Sequence, residues 1–314
     1  MKKAWIFCGI LLLGLLASLP AIEAAPSLER IGITYVKAPL NIPSILEKEL
    51  ELFEKKFLPR GIRVEHPELT AGPQQTAAMA SGAASFANCI GGTSVLLAAA
   101  NGLDIKIIGV YARAPRAFVI LVKDPSIMSV KDLQGKKVAG PKGTILHQLL
   151  VSALDREGLG AEDVDFLGMG LMEGITALLR GSVDACLAAG PGVLKAQKEG
   201  ARILTDGTGL VDGLTLMAVR ESFLQTHPQV VADFLEVDAQ AREFIRTHPE
   251  EALAYTAKAT GLTPEEVAQM APLYDFSSPI RPSDLEDLKK TQDFLYKNGM
   301  LPRKVFIEKL FTTP

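Results

Sequence analysis

The sequence is poor in the residues that most catalytic and metal sites use. Its 314 residues include three cysteines, four histidines and one tryptophan. The histidines are scattered along the chain, and no His/Glu or Cys/His pair has the spacing of metal ligands. The Gly-x-Ser-x-Gly turn of a serine nucleophile is also absent. These absences argue against a metalloenzyme and against a serine or thiol hydrolase, and we expect no catalytic residue, metal or cofactor.

A strongly basic surface is absent as well. The formal net charge is −3 at pH 7, whereas nucleic-acid binding requires a basic patch or stripe. The mild acidity suits a soluble protein, and we expect no nucleic-acid partner.

Long apolar runs are missing except at the start of the chain. Two lysines precede the apolar residues 4–19, and small residues follow at Ala24 and Ala25. This order is typical of a secretory signal peptide, and the run is shorter than the roughly 20 residues of a membrane span. We expect residues 1–24 to be a signal peptide that is removed on export, which leaves a soluble periplasmic protein.

Beyond the signal peptide, short apolar strands alternate with amphipathic helices, which predicts an α/β fold. The length of this part exceeds the usual size of one domain and predicts two lobes. We place the first lobe at residues 25–113 and the second at 114–210. Residues 211–314 return to the first lobe as a strand followed by helices. Two crossings, near residues 112–116 and 209–213, would form the hinge.

The apolar pattern also gives the individual elements. The predicted strands are residues 31–36, 63–65, 85–90, 105–111, 118–122, 137–139, 164–167, 183–188, 203–204 and 214–219. Residues 46–57 carry one apolar stripe and predict a single helix. Ser283 and Glu286 have the spacing of a capping box and predict the start of a late helix.

Two cysteines remain after removal of the signal peptide, Cys89 and Cys186. In an oxidising compartment they could form a disulfide. Each belongs to a predicted strand of a different lobe, however, and a disulfide between them would lock the hinge. The sequence therefore favours two separate buried thiols that behave as small apolar residues, with the disulfide as the alternative.

Four predicted strand-to-helix turns are rich in small and hydroxyl residues, at residues 70–74, 91–94, 140–144 and 189–192. In open α/β sheets, ligands bind beyond the carboxyl ends of the strands. The free N–H groups and the dipole of a helix N-terminus suit an anion there. Two of the turns belong to each lobe, so closure of the lobes would bring all four together as a binding cleft. Each turn taken alone is also an ordinary helix cap.

The candidate ligand contacts come from these turns and from the first strand and its loop. They are Tyr35, Asn41, Gln74, Gly92, Thr93, Ser94, Lys142, Thr144, His147 and Gly190. Tyr35 has the alternative of an ordinary core tyrosine, and Asn41 that of a turn residue. Lys142 could equally be a solvated lysine, and packing alone could explain His147.

Several of these segments resemble one family. Ala-Gly-Pro-Gln at residues 71–74, Asp-Leu-Gln-Gly-Lys-Lys-Val at 132–138 and Lys-Gly-Thr at 142–144 are similar to the periplasmic binding proteins of the nitrate, aliphatic-sulfonate and taurine ABC importers. The resemblance implies a type II periplasmic binding fold, no catalysis, and capture of a small solute by hinge closure. We expect a monomer whose partner is an ABC permease with its ATPase.

The turn at residues 189–192 departs from this resemblance. Sulfonate binders usually carry Trp-Asp-Pro-Tyr there, whereas this chain has Ala-Gly-Pro-Gly. The loss of a Trp, a Tyr and an Asp empties one wall of the cleft and leaves room for a larger or more apolar solute than a short sulfonate, so the resemblance does not fix the substrate. The alternatives are a ligand-binding sensor and an enzyme on the same fold, and the signal peptide argues against the enzyme.

Overall fold

The structure, a computed structural model, describes residues 28–37 and 40–312. The predicted signal peptide at residues 1–24 lies outside the described residues. None of the described helices combines the length and apolar composition of a membrane span.

The strands of the described chain are short and alternate with helices, as the sequence predicts. In chain order they are β1 (Arg30–Gly32), β2 (Arg63–Glu65), β3 (Phe86–Gly91), β4 (Ile105–Arg113), β5 (Phe118–Val122), β6 (Lys137–Gly140), β7 (Asp165–Gly168), β8 (Ala185–Ala189), β9 (Arg202–Asp206) and β10 (Leu214–Arg220). The α-helices are α1 (Ile42–Glu49), α2 (Leu52–Phe57), α3 (Gly72–Ala80), α4 (Gly92–Ala100), α5 (Ile145–Arg156), α6 (Leu171–Leu179), α7 (Pro191–Lys198), α8 (Glu221–Thr226), α9 (Pro228–Thr247), α10 (Pro249–Thr260), α11 (Pro264–Met270) and α12 (Pro282–Lys297). The first strand ends at Gly32 and is shorter than predicted.

Two sheets with the same strand order form the two lobes. In the first lobe β3, β10 and β4 are hydrogen-bonded neighbours, and β1 pairs with β2. The Thr34 N–H donates to the Phe86 carbonyl oxygen at 3.1 Å and joins β1 to β3. The full order is therefore β2-β1-β3-β10-β4, and the second lobe has β7-β6-β8-β5-β9. In both sheets the fourth strand, β10 or β5, runs antiparallel to its neighbours, so the two-lobed α/β prediction is confirmed.

The strand directions decide where the helices begin. Strands β6, β7 and β8 are parallel, and each is followed by a helix, α5, α6 and α7 in turn. The N-termini of these three helices therefore lie along one edge of the second sheet. In the first lobe β2 and β3 lead into α3 and α4 in the same way. Each lobe thus presents helix N-termini beyond the ends of its strands.

Two chain segments cross between the lobes side by side. The Ala114 N–H donates to the Gly213 carbonyl oxygen at 3.2 Å. Gly213 has φ +61°, and a Cβ atom added to it would lie 2.5 Å from the carbonyl carbon of Ala114. Glycine is therefore required where the crossings touch. The lobe boundaries at 113/114 and 210/211 stay predictions.

The predicted single helix over residues 46–57 is wrong. The chain forms α1 and α2 instead, because Glu51 between them has φ +53°, in the left-handed region. Phe53 and Phe57 are nevertheless fully buried, so two helices share the one apolar stripe.

The start of α12 also differs from the prediction. The helix begins at Pro282, with Arg281 rather than Ser283 as its N-cap. The Asp284 carboxylate accepts a hydrogen bond from the Arg281 N–H at 2.6 Å. The same carboxylate binds the guanidinium of Arg113 at 2.6 Å and 2.7 Å. Asp284 therefore caps the helix and ties it to the end of β4.

Cys89 in β3 and Cys186 in β8 are both free and buried, which confirms the prediction of two separate thiols. Burial raises the pKa of each thiol to about 12. Both thiols therefore stay protonated at neutral pH.

Candidate ligand-binding cleft

A cavity of about 830 Å³ lies between the two lobes. Its volume falls in the range of ligand pockets, roughly 300–1,000 Å³. Both sheets contribute to its walls, and the end of α10 with the start of α11 closes one side. Both lobes and the late helices therefore border one cleft.

Five helix N-termini meet at this cleft. The lining includes the first or capping residues of α3, α4, α5, α6 and α7, which are Gly72, Gly91, Thr144, Gly170 and Pro191. The sequence analysis identified four of these turns and missed that of α6. The Gly-Met-Gly segment at residues 168–170 after β7 is the signal that could have identified it. Unpaired N–H groups and helix dipoles make such a set of N-termini a suitable place for an anion.

Apolar side chains supply much of the remaining wall. They are Phe118, Leu146, Leu171, Leu194 and Leu262. At the turn after β8, Ala189, Pro191 and Gly192 contribute to the lining, and none of them has a large side chain. The cleft thus combines polar helix ends with a broad apolar surface.

The charged side chains at the rim are mostly paired. Lys37 lies 3.0 Å from Glu68, and Lys198 of α7 pairs with Glu266 of α11 across the cleft. Lys195, one turn before Lys198 on the same face, has no carboxylate within 4.0 Å in the described part of the chain. It is therefore a cation that a bound anion could reach.

Three of the candidate contacts line the cleft. Gln74 accepts a hydrogen bond from the Ala71 N–H at 3.3 Å. Ser94 Oγ donates to the Gly143 carbonyl oxygen of the other lobe at 2.9 Å. Thr144 Oγ1 caps α5 and donates to the Pro141 carbonyl oxygen at 2.8 Å.

Tyr35 and Asn41 lie beneath the cleft rather than in its lining. Tyr35 is 3% exposed, and the Lys48 ammonium lies 4.0 Å from its ring centroid. Burial is the main cause that raises the pKa of Tyr35 to about 12. Asn41 Nδ2 donates to the Val36 carbonyl oxygen at 2.9 Å, and its Oδ1 accepts from Cys89 Sγ at 3.2 Å. Both side chains make these contacts inside the first lobe.

Gly92 faces α12, and Thr93 faces α5. Gly92 packs on Leu288 of α12, since an added Cβ would lie 2.8 Å from that side chain. Thr93 Oγ1 donates to Gln148 Oε1 of the second lobe at 2.5 Å. Gly92 therefore packs within the first lobe, Thr93 contributes to the contact between the lobes, and neither lines the cleft.

Lys142, His147 and Gly190 also stand outside the lining. Lys142 is exposed to solvent. The His147 ring stacks on Phe166 at 4.5 Å between centroids. Burial, with Lys142 as a smaller cause, lowers the pKa of His147 to about 4, so the ring is neutral at pH 7. Gly190 has φ +69° and shapes the turn that places Pro191 at the cleft.

Cys89 reaches the cleft through an irregular strand. The pairing of β3 with β10 shifts register beside Leu216 and Met217, and Cys89 is left without a partner in the ladder. Its φ of +68° is unusual for a residue other than glycine. A bulge of this kind re-aims a side chain, and here Cys89 lines the cleft.

Glu47 of α1 is a carboxyl group buried inside the first lobe. Its Oε2 accepts a hydrogen bond from Asn88 Nδ2 at 2.5 Å. Neither Glu47 Oε1 nor Asn88 Oδ1 has a hydrogen-bond partner in the described residues. Burial, followed by repulsion from Asp238, raises the pKa of Glu47 to about 8.

In the described residues, no three His, Cys, Asp or Glu side chains are grouped to hold a metal ion.

Two α/β lobes joined by two crossings, with a cleft between them, define the type II periplasmic binding protein fold. The family described as NMT1/THI5 like matches residues 42–252. A relative named as an aliphatic sulfonates-binding protein of Escherichia coli (strain K12) is 31% identical over 94% of this chain and 91% of its own. One of the same name from Bacillus subtilis (strain 168) is 33% identical over 89% of this chain and 84% of its own. The chain belongs to the NMT1/THI5-like family, and the resemblance found in the sequence is confirmed.

A solved structure agrees with this assignment. The alkanesulfonate-binding protein SsuA from Xanthomonas axonopodis pv. citri, bound to MOPS, superposes with a TM-score of 0.82 at 26% identity. The similarity covers 92% of this chain and 99% of that chain. These three relatives are binding proteins by name.

Proposed function

We propose that this protein is the solute-binding component of an ABC importer and captures an organic anion in the cleft by closure of the lobes. The convergence of five helix N-termini on one cavity of about 830 Å³ supports this function more than any other observation. The names of the relatives, which specify aliphatic sulfonates, point to the same chemistry.

The cleft suits a solute with two unlike ends. A sulfonate or similar anionic group would accept hydrogen bonds from the helix N-termini, with Gln74, Ser94 and Thr144 as side-chain contacts. An alkyl or aryl body would lie on the apolar wall near Phe118 and Leu194. Because the turn at residues 189–192 adds no bulky side chain, the body has more room than a two-carbon sulfonate needs.

The remaining assignments extend this function to the cell. Residues 1–24 would direct export to the periplasm. Residues 114–210 would move as one lobe against the rest of the chain. The closed protein would dock as a monomer on an ABC permease that works with its ATPase.

A thermal-shift screen tests the proposal directly. The exported protein is purified and heated with nitrate, taurine, MOPS, longer alkanesulfonates and aromatic carboxylates. A ligand at a hundredfold excess over its Kd stabilises the folded state by about 2.7 kcal/mol, which a calorimeter detects easily. Stabilisation by the larger sulfonates supports the proposal. Stabilisation by uncharged compounds alone contradicts the anion assignment.

A charge substitution at Thr144 tests the helix N-termini themselves. Thr144→Asp and Thr144→Asn both keep a good N-cap for α5, but only the first places a negative charge at the cleft. Repulsion between unit charges about 4 Å apart at an effective dielectric of about 20 is about 4 kcal/mol. We therefore expect Thr144→Asp to weaken sulfonate binding at least tenfold more than Thr144→Asn. Equal affinities would place the anion elsewhere.

A further inference from the structure

Helix α5 of the second lobe lies against α4 and α12 of the first lobe, and polar contacts run along this interface. At the start of α5, Ser94 Oγ donates to the Gly143 carbonyl oxygen at 2.9 Å. Near its end, the Lys297 ammonium lies 3.2 Å from the Asp155 carboxylate. The second contact is exposed, and an exposed ion pair adds little to stability.

Gln148 lies between these contacts and bonds to both first-lobe helices. Thr93 Oγ1 of α4 donates to Gln148 Oε1 at 2.5 Å. Gln148 Nε2 donates to Thr291 Oγ1 of α12 at 3.3 Å. Because a hydroxyl both donates and accepts, either orientation of the amide satisfies both bonds. All three side chains are buried, with at most 9% exposed.

The space around Gln148 leaves little room for water to replace the amide. A gap of about 10 Å³ borders Gln148, Thr93 and Thr291. That volume is no larger than about one water molecule requires. With the lobes together, loss of the amide would leave the Thr93 and Thr291 hydroxyls buried without this partner. Separation of the lobes would hydrate both hydroxyls.

We propose that Gln148 is a positioning residue that holds the two lobes together through Thr93 and Thr291. It does not line the cleft, so it acts on the solute only through the lobes. A net loss of one or two buried hydrogen bonds lowers the population of the closed arrangement about tenfold. The apparent affinity for a solute that requires closure falls by the same factor. This last step rests on the proposed function, whereas the effect on the lobes does not.

Matched substitutions separate the hydrogen bonds from packing. Gln148→Met keeps the length of the side chain without the amide, and Thr93→Val keeps the shape without the hydroxyl. Thr93→Ser keeps the hydroxyl and is the control. Small-angle X-ray scattering of the exported protein without added solute should show a larger radius of gyration for Gln148→Met and Thr93→Val than for the wild type. Thr93→Ser should have the same radius of gyration as the wild type.

The double variant Gln148→Met with Thr93→Val should open no further than Gln148→Met alone, because that single variant already lacks the bond to Thr93. Equal radii for the wild type and Gln148→Met would overturn the proposal. Circular dichroism confirms that each variant is folded before the radii are compared.

Calorimetric titration with MOPS then measures the consequence for binding. We expect Gln148→Met to weaken the affinity about tenfold and Thr93→Ser to leave it unchanged. A Thr93→Val protein that binds MOPS more weakly at an unchanged radius would show that Thr93 contacts the solute directly, and the proposal would be wrong. A wild type that takes up none of the sulfonates would contradict the proposed function, while the scattering result still decides the role of Gln148.

Discussion

Replacement of the buried Glu47 by glutamine measures how much the burial of one carboxyl group in the first lobe lowers the free energy of unfolding. The nearby Arg242 guanidinium is already bound at 2.7 Å and 2.8 Å by the two carboxylate oxygens of Asp238. Glu47 therefore gains little from that cation, and burial dominates. Its pKa rises from the ordinary 4.5 to about 8, so the folded protein carries Glu47 protonated at neutral pH.

The raised pKa sets the sign and the size of the effect. Between about pH 4.5 and about pH 8 the folded state binds a proton that the unfolded chain has released, so stability falls as the pH rises. Each pH unit in this window costs about 1.4 kcal/mol, which amounts to about 3 kcal/mol at pH 7. Glutamine has no proton to lose, and its Oε1 can accept the bond from Asn88. The Glu47→Gln protein should therefore be more stable at neutral and mildly alkaline pH.

Urea unfolding of both proteins at several pH values measures this difference. The two should be nearly equal at about pH 5, with the advantage of Glu47→Gln growing until about pH 8. Glu49→Gln, on the exposed side of the same helix, is the control and should change stability by less than about 0.5 kcal/mol throughout. A Glu47→Gln protein that is less stable than the wild type at pH 7 would mean that Glu47 is ionised and paired, and the reasoning would be refuted.

Two further predictions concern the hinge and the cleft. Gly261→Ala should lower the free energy of unfolding by about 1 kcal/mol. Gly213→Ala should lower it by at least twice as much. Both glycines have a positive φ, but only Gly213 would bring its new Cβ against the backbone of Ala114; equal losses in urea unfolding would contradict this account. A maleimide should label Cys89 before Cys186, because only Cys89 lines the cleft, and mass spectrometry of the peptides gives the order. Labelling of Cys186 before Cys89 would contradict the position of Cys89 in the lining of the cleft.

Much of the fold follows from local patterns in the sequence. The β2 and β5 strands span the predicted residues, and the other strands after β1 lie within two residues of their predicted ends. The break at Glu51 was not predictable from the apolar stripe, because burial of Phe53 and Phe57 is compatible with one helix or with two. Only the left-handed backbone at that position separates α1 from α2.

The site was predictable at the level of turns but not of side chains. Neighbouring helix residues point about 100° apart, so Ser94 can reach the cleft while Thr93 bonds to Gln148. A strand-to-helix turn in the sequence does not say which of the two faces the ligand. Leu262 and Lys195 were missed because their place in the lining depends on how distant helices pack.

Backbone groups and side chains have different roles in the proposed cleft, which explains how a changed turn at residues 189–192 is compatible with binding of an anion. In the proposed function, backbone N–H groups at the five helix N-termini bind the anion, and substitutions other than those to proline leave these groups in place. The side chains of the turn at residues 189–192 instead set the space beside the anion, and here they are small. Sequence change at this turn should therefore alter which organic body fits and leave capture of the anionic group intact. If the screen shows a preference for bulky sulfonates over taurine, the small turn is the first place to restore bulk, and Ala189→Trp, at a residue that lines the cleft, should shift the preference back toward the short compounds.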